Sequence, residues 1–113
     1  MEINRKNEAG TEVLTVNGEV DASSSIELDQ AIAGCVQGGA TKILVDCTGL
    51  AYISSAGLGV FMSYVEEFRE KGVRLVIFGL NNRVAHTFSL LGLADLMDIA
   101  EDRAAADRRI HEA

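Results

Sequence analysis

The chain has 113 residues, of which 48% are hydrophobic and 24% charged, a composition typical of one soluble globular domain and not of a disordered chain. Its formal net charge of −7 disfavours binding to a nucleic-acid backbone, which requires a basic surface. No apolar run approaches the roughly 18 residues of a membrane span, and the N-terminus lacks a signal-peptide core, so we expect a cytoplasmic protein that does not enter a membrane.

The first elements predicted are two strands of a hairpin, at 2–7 and 11–17, joined by an Ala-Gly turn. A helix follows, and Ser24 and Glu27 at its start have the spacing of a capping box. The buried face of this helix is expected to consist of Leu28, Ala31, Ile32, Cys35 and Val36. A pair of glycines, Gly38 and the residue after it, ends the helix.

Residues 42–46 (KILVD) form a short apolar run between turn residues, which predicts a strand buried on both faces. The stretch YISSAGLGVF, at 52–61, then leads into a helix that ends at Gly72. The apolar stripe predicted for this helix consists of Leu58, Phe61, Met62, Val65 and Phe68. A second buried strand is predicted at 73–80.

The end of the chain predicts a helix, a weak strand and a final helix, at 82–91, 96–100 and 103–112. Gly92 ends the first of these helices. Its buried side chains are expected to be Val84, Phe88 and Leu91. Because strands alternate with helices, we predict one α/β domain over 1–113, with an N-terminal hairpin, a mixed, mostly parallel sheet of about four to five strands and about four helices.

Two serines followed by two glycines mark the start of the helix after residue 53. One of them, Ser54 or Ser55, is expected to be an N-cap whose hydroxyl accepts a hydrogen bond from a backbone N–H. A cap does not explain Gly57 and Gly59, since each glycine in a helix costs roughly 0.5–1 kcal/mol relative to alanine. Small residues at this point would let a phosphate or another protein approach closely.

The outer face of the same helix is expected to carry Ala56 and Val60, with Ser63 next along and Tyr64 at the flank. Solvent-facing charges would be the ordinary choice at these positions. The sequence therefore predicts an exposed apolar surface for docking of another protein.

Known catalytic motifs are absent from the sequence. No lysine follows Gly59 as a P-loop requires, and neither serine lies in the Gly-x-Ser-x-Gly elbow of a hydrolase. We expect His86 and His111 to be solvated. Asp21 and Asp46 are acid and base candidates, but loop or cap roles suit them better. We therefore predict no enzymatic activity.

The two cysteines, Cys35 and Cys47, lack the Cys-x-x-Cys spacing of a metal or redox site and have no histidine near them in the sequence. We expect both thiols to be buried and reduced. The sequence therefore predicts neither a metal site nor a cofactor.

Three stretches carry a resemblance to a known family: GEVD at 18–21, ILVDCTGLAYISSAGLGVF at 43–61 and RVAHTFSLLGLADLMDI at 83–99. In their order along the chain they resemble the STAS family, and within it the small single-domain anti-sigma factor antagonists of bacteria. The middle stretch is the most specific of the three.

This resemblance implies a protein that binds an anti-sigma factor with serine kinase activity and is released when that kinase phosphorylates it. By position, the phosphoacceptor corresponds to Ser55, with Ser54 as the competing acceptor and Asp21 near the acceptor. Ser54 stands where many members have aspartate, and Ala56 where many have serine or threonine. The residues expected to bind the partner are Asp21, Ser23, Ser54, Ser55, Ala56, Gly57, Gly59, Val60 and Tyr64.

The resemblance further implies a metal-dependent serine phosphatase of the PPM type that reverses the modification. We expect a monomer, since the sequence has no long apolar exposed strand. Two alternatives stay open: a STAS module that senses a ligand or nucleotide, and a scaffold subunit of a signalling complex that is never phosphorylated.

Overall fold

A computed structural model describes residues 1–112, which form a six-stranded sheet and five helices. The strands are β1 (Glu2–Glu8), β2 (Thr11–Val20), β3 (Lys42–Asp46), β4 (Leu50–Ile53), β5 (Arg74–Phe78) and β6 (Asp98–Ala100). The helices are α1 (Ser25–Gln37), α2 (Ser55–Lys71), α3 (Asn82–Leu90), α4 (Leu93–Leu96) and α5 (Arg103–Ile110). The α/β prediction is confirmed, with one strand and one helix more than the upper expectation.

The sheet is mixed, in the spatial order β1-β2-β3-β5-β6, and β4 pairs with the far end of β2. Among residues 1–112, the β1–β2 pair is antiparallel and the other strand pairs are parallel. Ala9 and Gly10 form its turn with φ angles of 52° and 87°, the pair of positive φ values that a tight hairpin requires. The predicted hairpin is therefore confirmed, although β2 runs on to Val20.

Helices cover both faces of the sheet. Because side chains alternate along the central strands, each strand contributes to a core on either face. Ile43, Val45 and Ile77 point into a core that they share with α1, α2 and α3. The second core, on the opposite face, consists of Val13, Leu44, Val76, Phe78, Ala100, Ala106 and Ile110. The prediction that the two central strands are buried on both faces is confirmed. Within residues 1–112, every helix is too short or too polar to span a bilayer.

The capping box predicted at the start of α1 does not form. Ser24 has helical backbone angles, and its side chain does not cap the helix. Its hydroxyl instead accepts a 2.8 Å hydrogen bond from the backbone N–H of Asp21. The carboxylate of Asp21 accepts the N–H of Ser24 at 2.9 Å, so the loop before the helix takes over the capping role.

Two further kinds of prediction differ from the structure: the burial of two apolar side chains, and the number of short elements. Met62 and Leu91 were expected to be buried and are 48% and 57% exposed. Met62 directly follows buried Phe61, so a helical turn of about 100° carries it away from the sheet. Leu91 lies beyond the last residue of α3. The elements β4 and α4 span four residues each, too short for a periodic signal.

Candidate functional site

The C-terminal ends of β2 and β4 lie side by side and bring two helix starts together. The backbone N–H of Ser54 donates to the carbonyl oxygen of Val20 at 2.8 Å. Asp21 and Ser55 are the next residues on the two segments, so both lie at this edge of the sheet. We call the exposed or half-buried residues gathered here the serine edge: Asp21, Ser23, Ser54, Ser55, Ala56 and Gly59.

Ser54 is the N-cap of α2. Its backbone is extended (φ −81°, ψ 169°), and its hydroxyl oxygen accepts a hydrogen bond from the N–H of Gly57 at 3.3 Å. Ser54 is half-buried. The expectation that one of the two serines serves as a cap is therefore confirmed, and Ser54 is that residue.

Ser55 is the first residue of α2 and is exposed to solvent. Its hydroxyl makes no hydrogen bond to any of residues 1–112. The neighbouring Ala56 is also exposed. The two adjacent hydroxyls therefore differ: that of Ser54 caps α2, and that of Ser55 faces solvent.

Gly57 has a different role from the one expected. A Cβ atom here would lie 2.7 Å from Cγ1 of Ile53 and 2.8 Å from Cγ1 of Val20, closer than side chains tolerate. Gly57 is buried, and its missing side chain lets α2 pack onto β2 and β4. The assignment of Gly57 to the partner-binding surface is therefore wrong. Gly59 is exposed, and a Cβ there would meet no atom within 4 Å.

Val60 and Tyr64 are less accessible than the sequence predicted. Both are half-buried and pack against the main core. The Tyr64 ring lies 5.0 Å from that of Phe68, and its hydroxyl donates to the carboxylate of Asp29 on α1. Burial and this hydrogen bond raise the pKa of Tyr64. The exposure expected for Val60 is therefore wrong, whereas a role of Val60 and Tyr64 in partner binding stays a prediction. No pattern in the sequence predicted the hydrogen bond between Tyr64 and Asp29.

Asp21 is held by a dense set of hydrogen bonds. Its carboxylate accepts from the backbone N–H of Ser24 and from the hydroxyls of Ser23 and Ser24, each at 2.9 Å. These donors, the Ser24 N–H first, lower the pKa of Asp21 to about 2. The carboxylate is therefore ionised at neutral pH and is a fixed negative charge at the serine edge.

The remaining candidates take no part in the serine edge. Asp46 accepts hydrogen bonds from the backbone N–H and hydroxyl of Thr48, at 3.0 and 2.7 Å, as its expected loop role requires. His86 and His111 are exposed, as expected. Both cysteines are buried and free, also as expected. Burial first and the charge of Asp46 second raise the pKa of Cys47 to about 12.

Comparisons with known proteins agree with this geometry. A model of the STAS domain family matches residues 2–106. An anti-sigma-B factor antagonist of Staphylococcus aureus (strain NCTC 8325 / PS 47) is 31% identical over 86 residues, which are 76% of this chain and 80% of that protein. The aligned residues therefore make up most of both chains.

Two solved structures share the fold. An anti-sigma factor antagonist from Mycobacterium paratuberculosis has a TM-score of 0.87 and 18% identity, covering 98% of this chain and 94% of its own. The Bacillus cell fate determinant SpoIIAA in its phosphorylated form has a TM-score of 0.72 and 22% identity, covering 96% of this chain and 99% of its own. The arrangement of sheet and helices is the same in all three.

Proposed function

Because this chain belongs to the STAS domain family, we propose that it is an anti-sigma factor antagonist controlled by phosphorylation of Ser55. Unphosphorylated, it binds an anti-sigma factor that is also a serine kinase, and the sigma factor is released. Phosphorylated, it dissociates. A phosphatase of the PPM type restores the binding form. The chain acts in the cytoplasm and supplies the binding surface. Its partners carry out the phosphorylation and the dephosphorylation.

The observation that carries the assignment of Ser55 is the contrast between the two serines. A kinase must place the acceptor hydroxyl in line with a nucleotide phosphate, which requires an accessible side chain. Ser55 is exposed, whereas the Ser54 oxygen is engaged with the Gly57 N–H. Phosphorylation of Ser54 would modify the oxygen that accepts the Gly57 N–H, whereas phosphorylation of Ser55 leaves that bond untouched.

The fold tolerates a phosphate on Ser55. The group adds about −1.5 to −2 charges and lies in the first turn of α2, where the helix dipole favours an anion. The effect therefore falls on the interface. Next to the ionised Asp21, a partner would have to bury two negative groups without new countercharges. A hundredfold loss of affinity requires only about 2.7 kcal/mol.

The surface for the partner is smaller than the one expected from sequence. The serine edge forms the main part of it. Gly57 is buried, and half-buried Val60 and Tyr64 contribute only the parts of their side chains that solvent reaches. Gly59 and Ala56 leave the outer side of the first turns of α2 without long side chains. The partner's backbone reaches this part of the helix closely, and the free chain is monomeric.

Mapping of the modification in cells tests the site. The chain is separated on phosphate-affinity gels, and the retarded band is sequenced by mass spectrometry. We expect phosphoserine at 55, a single unretarded band for Ser55→Ala, and continued modification of Ser54→Ala as the matched control. Phosphate on Ser54, or a retarded band in Ser55→Ala, would contradict the assignment. One unretarded band for the native chain in all growth phases would favour an unmodified scaffold.

A binding measurement tests the switch. The kinase partner is captured with Ser55→Ala, identified, purified and titrated against each variant by calorimetry. Ser55→Ala is expected to bind as the unmodified chain does, and Ser55→Asp about a hundredfold more weakly. Equal affinity of the two variants would mean that charge at position 55 does not control binding.

A further inference from the structure

A cavity of about 210 Å³ lies on the flank of α2, away from the serine edge. Its walls are mainly apolar and come from three places: the inner side of α2, the start of β5, and the segment between α4 and β6. The apolar residues that form them are Phe61, Val65, Phe68, Val73, Leu75, Leu96 and Met97. Tyr64 also lines the cavity, but no residue of the serine edge does.

The charged groups at its mouth are not balanced. Asp98 is paired with both Arg74, at 3.6 Å, and Arg109. Arg69 also lines the cavity, but it makes no salt bridge with any of residues 1–112. An apolar cavity thus opens beside an exposed cation that has no countercharge, in a chain whose net charge is −7.

We propose that this cavity binds a small amphipathic carboxylic acid, with its apolar body inside and its carboxylate against Arg69. A dry apolar cavity of about 150 Å³ is enough to hold benzene. The observed 210 Å³ therefore suits a body of roughly seven to eight carbons. A guanidinium at the mouth favours a carboxylate over a neutral polar head. Met97 is unbranched, so its side chain adapts to the shape of the ligand.

The occupant is placed to act on α2. Phe61, Val65 and Phe68 line the cavity, and Ser55 begins the same helix. Occupation of the cavity removes apolar surface of α2 from water and stabilises its position on β5. Binding itself does not depend on phosphorylation of Ser55, so the proposal and the phosphorylation switch succeed or fail separately.

The test is a titration of the full chain with octanoate, followed by amide chemical shifts in ¹H–¹⁵N NMR spectra. We expect saturable shifts centred on Val73, Leu75 and Met97. Arg69→Gln should weaken octanoate binding about tenfold. Arg108→Gln is the matched control, because Arg108 is exposed on α5, over the opposite face of the sheet, and loses the same charge.

Two further arms separate the cavity from general surface binding. Octan-1-ol has the same chain without the carboxylate, so its weaker binding should be equal in the native chain and in Arg69→Gln. Leu96→Trp fills the mouth at a position that is 51% exposed, and should abolish shifts with both compounds. The proposal is overturned if octanoate causes no saturable shifts near these residues up to about 10 mM. Equal weakening by Arg69→Gln and Arg108→Gln also overturns it.

Discussion

The backbone N–H of Ser54 donates to the carbonyl oxygen of Val20 over 2.8 Å, and this bond joins the two segments that carry the candidate site. It holds the last residue of β2 against the residue that caps α2. Asp21 and Ser55 follow on either side, so a fixed carboxylate lies at the same edge as an exposed hydroxyl.

Replacing each serine by alanine should affect stability very differently. Ser54→Ala removes the cap of α2 and is expected to lower the free energy of unfolding by about 1 kcal/mol. Ser55→Ala removes an exposed hydroxyl and should change it by less than about 0.5 kcal/mol. Urea unfolding of the two variants measures both values. A larger loss for Ser55→Ala than for Ser54→Ala would show that the roles are reversed.

Substitution by alanine should change the stability of the fold in opposite directions at the two glycines of α2. Gly57→Ala places a Cβ within 2.8 Å of Val20 and is expected to destabilise the fold by about 1–3 kcal/mol. Gly59→Ala meets open space and should stabilise the helix by roughly 0.5–1 kcal/mol. Thermal unfolding followed by circular dichroism compares them. Similar midpoints for both variants would rule out the packing role of Gly57.

The Asp21 carboxyl should titrate near pH 2, as its pKa of about 2 requires. Because folding lowers this pKa, the carboxylate stabilises the folded state above the unfolded pKa of about 4, and that contribution is lost as pH falls through about 2. Carbon-detected NMR measures the midpoint directly. Ser23→Ala removes one donor and should raise the midpoint. A native midpoint near 4 would mean that these hydrogen bonds are absent in solution.

The two thiols should be inert in the folded protein. Burial raises the pKa of both, that of Cys47 to about 12, so the reactive thiolate is scarce at about pH 8. A chromogenic disulfide reagent should label neither Cys35 nor Cys47 in buffer and both in denaturant. Rapid labelling of either cysteine in buffer would indicate that its part of the core opens.

Much of the fold could be predicted because some patterns are local. The Ala9-Gly10 turn, the apolar run of β3 and the apolar stripe of α2 each describe one element, and the structure contains all three except that Met62 of the stripe is exposed. The stretch around Ser54 and Ser55 stands out for the same reason, since a serine cap does not explain two costly glycines in the first turns of a helix. These features depend on backbone preferences and burial, which a short segment carries by itself.

Only the tertiary structure decided what the residues of that stretch do. Gly57 is glycine because Val20 and Ile53 occupy the space that its side chain would need, and Val20 comes from a distant segment. Likewise, the hydroxyl of Tyr64 on α2 is held by Asp29, which lies on another helix, α1. The sequence determined where a helix begins and which hydroxyls stand at its start. The packing of separate strands and helices determined which hydroxyl faces solvent, because burial depends on neighbours that no local period records.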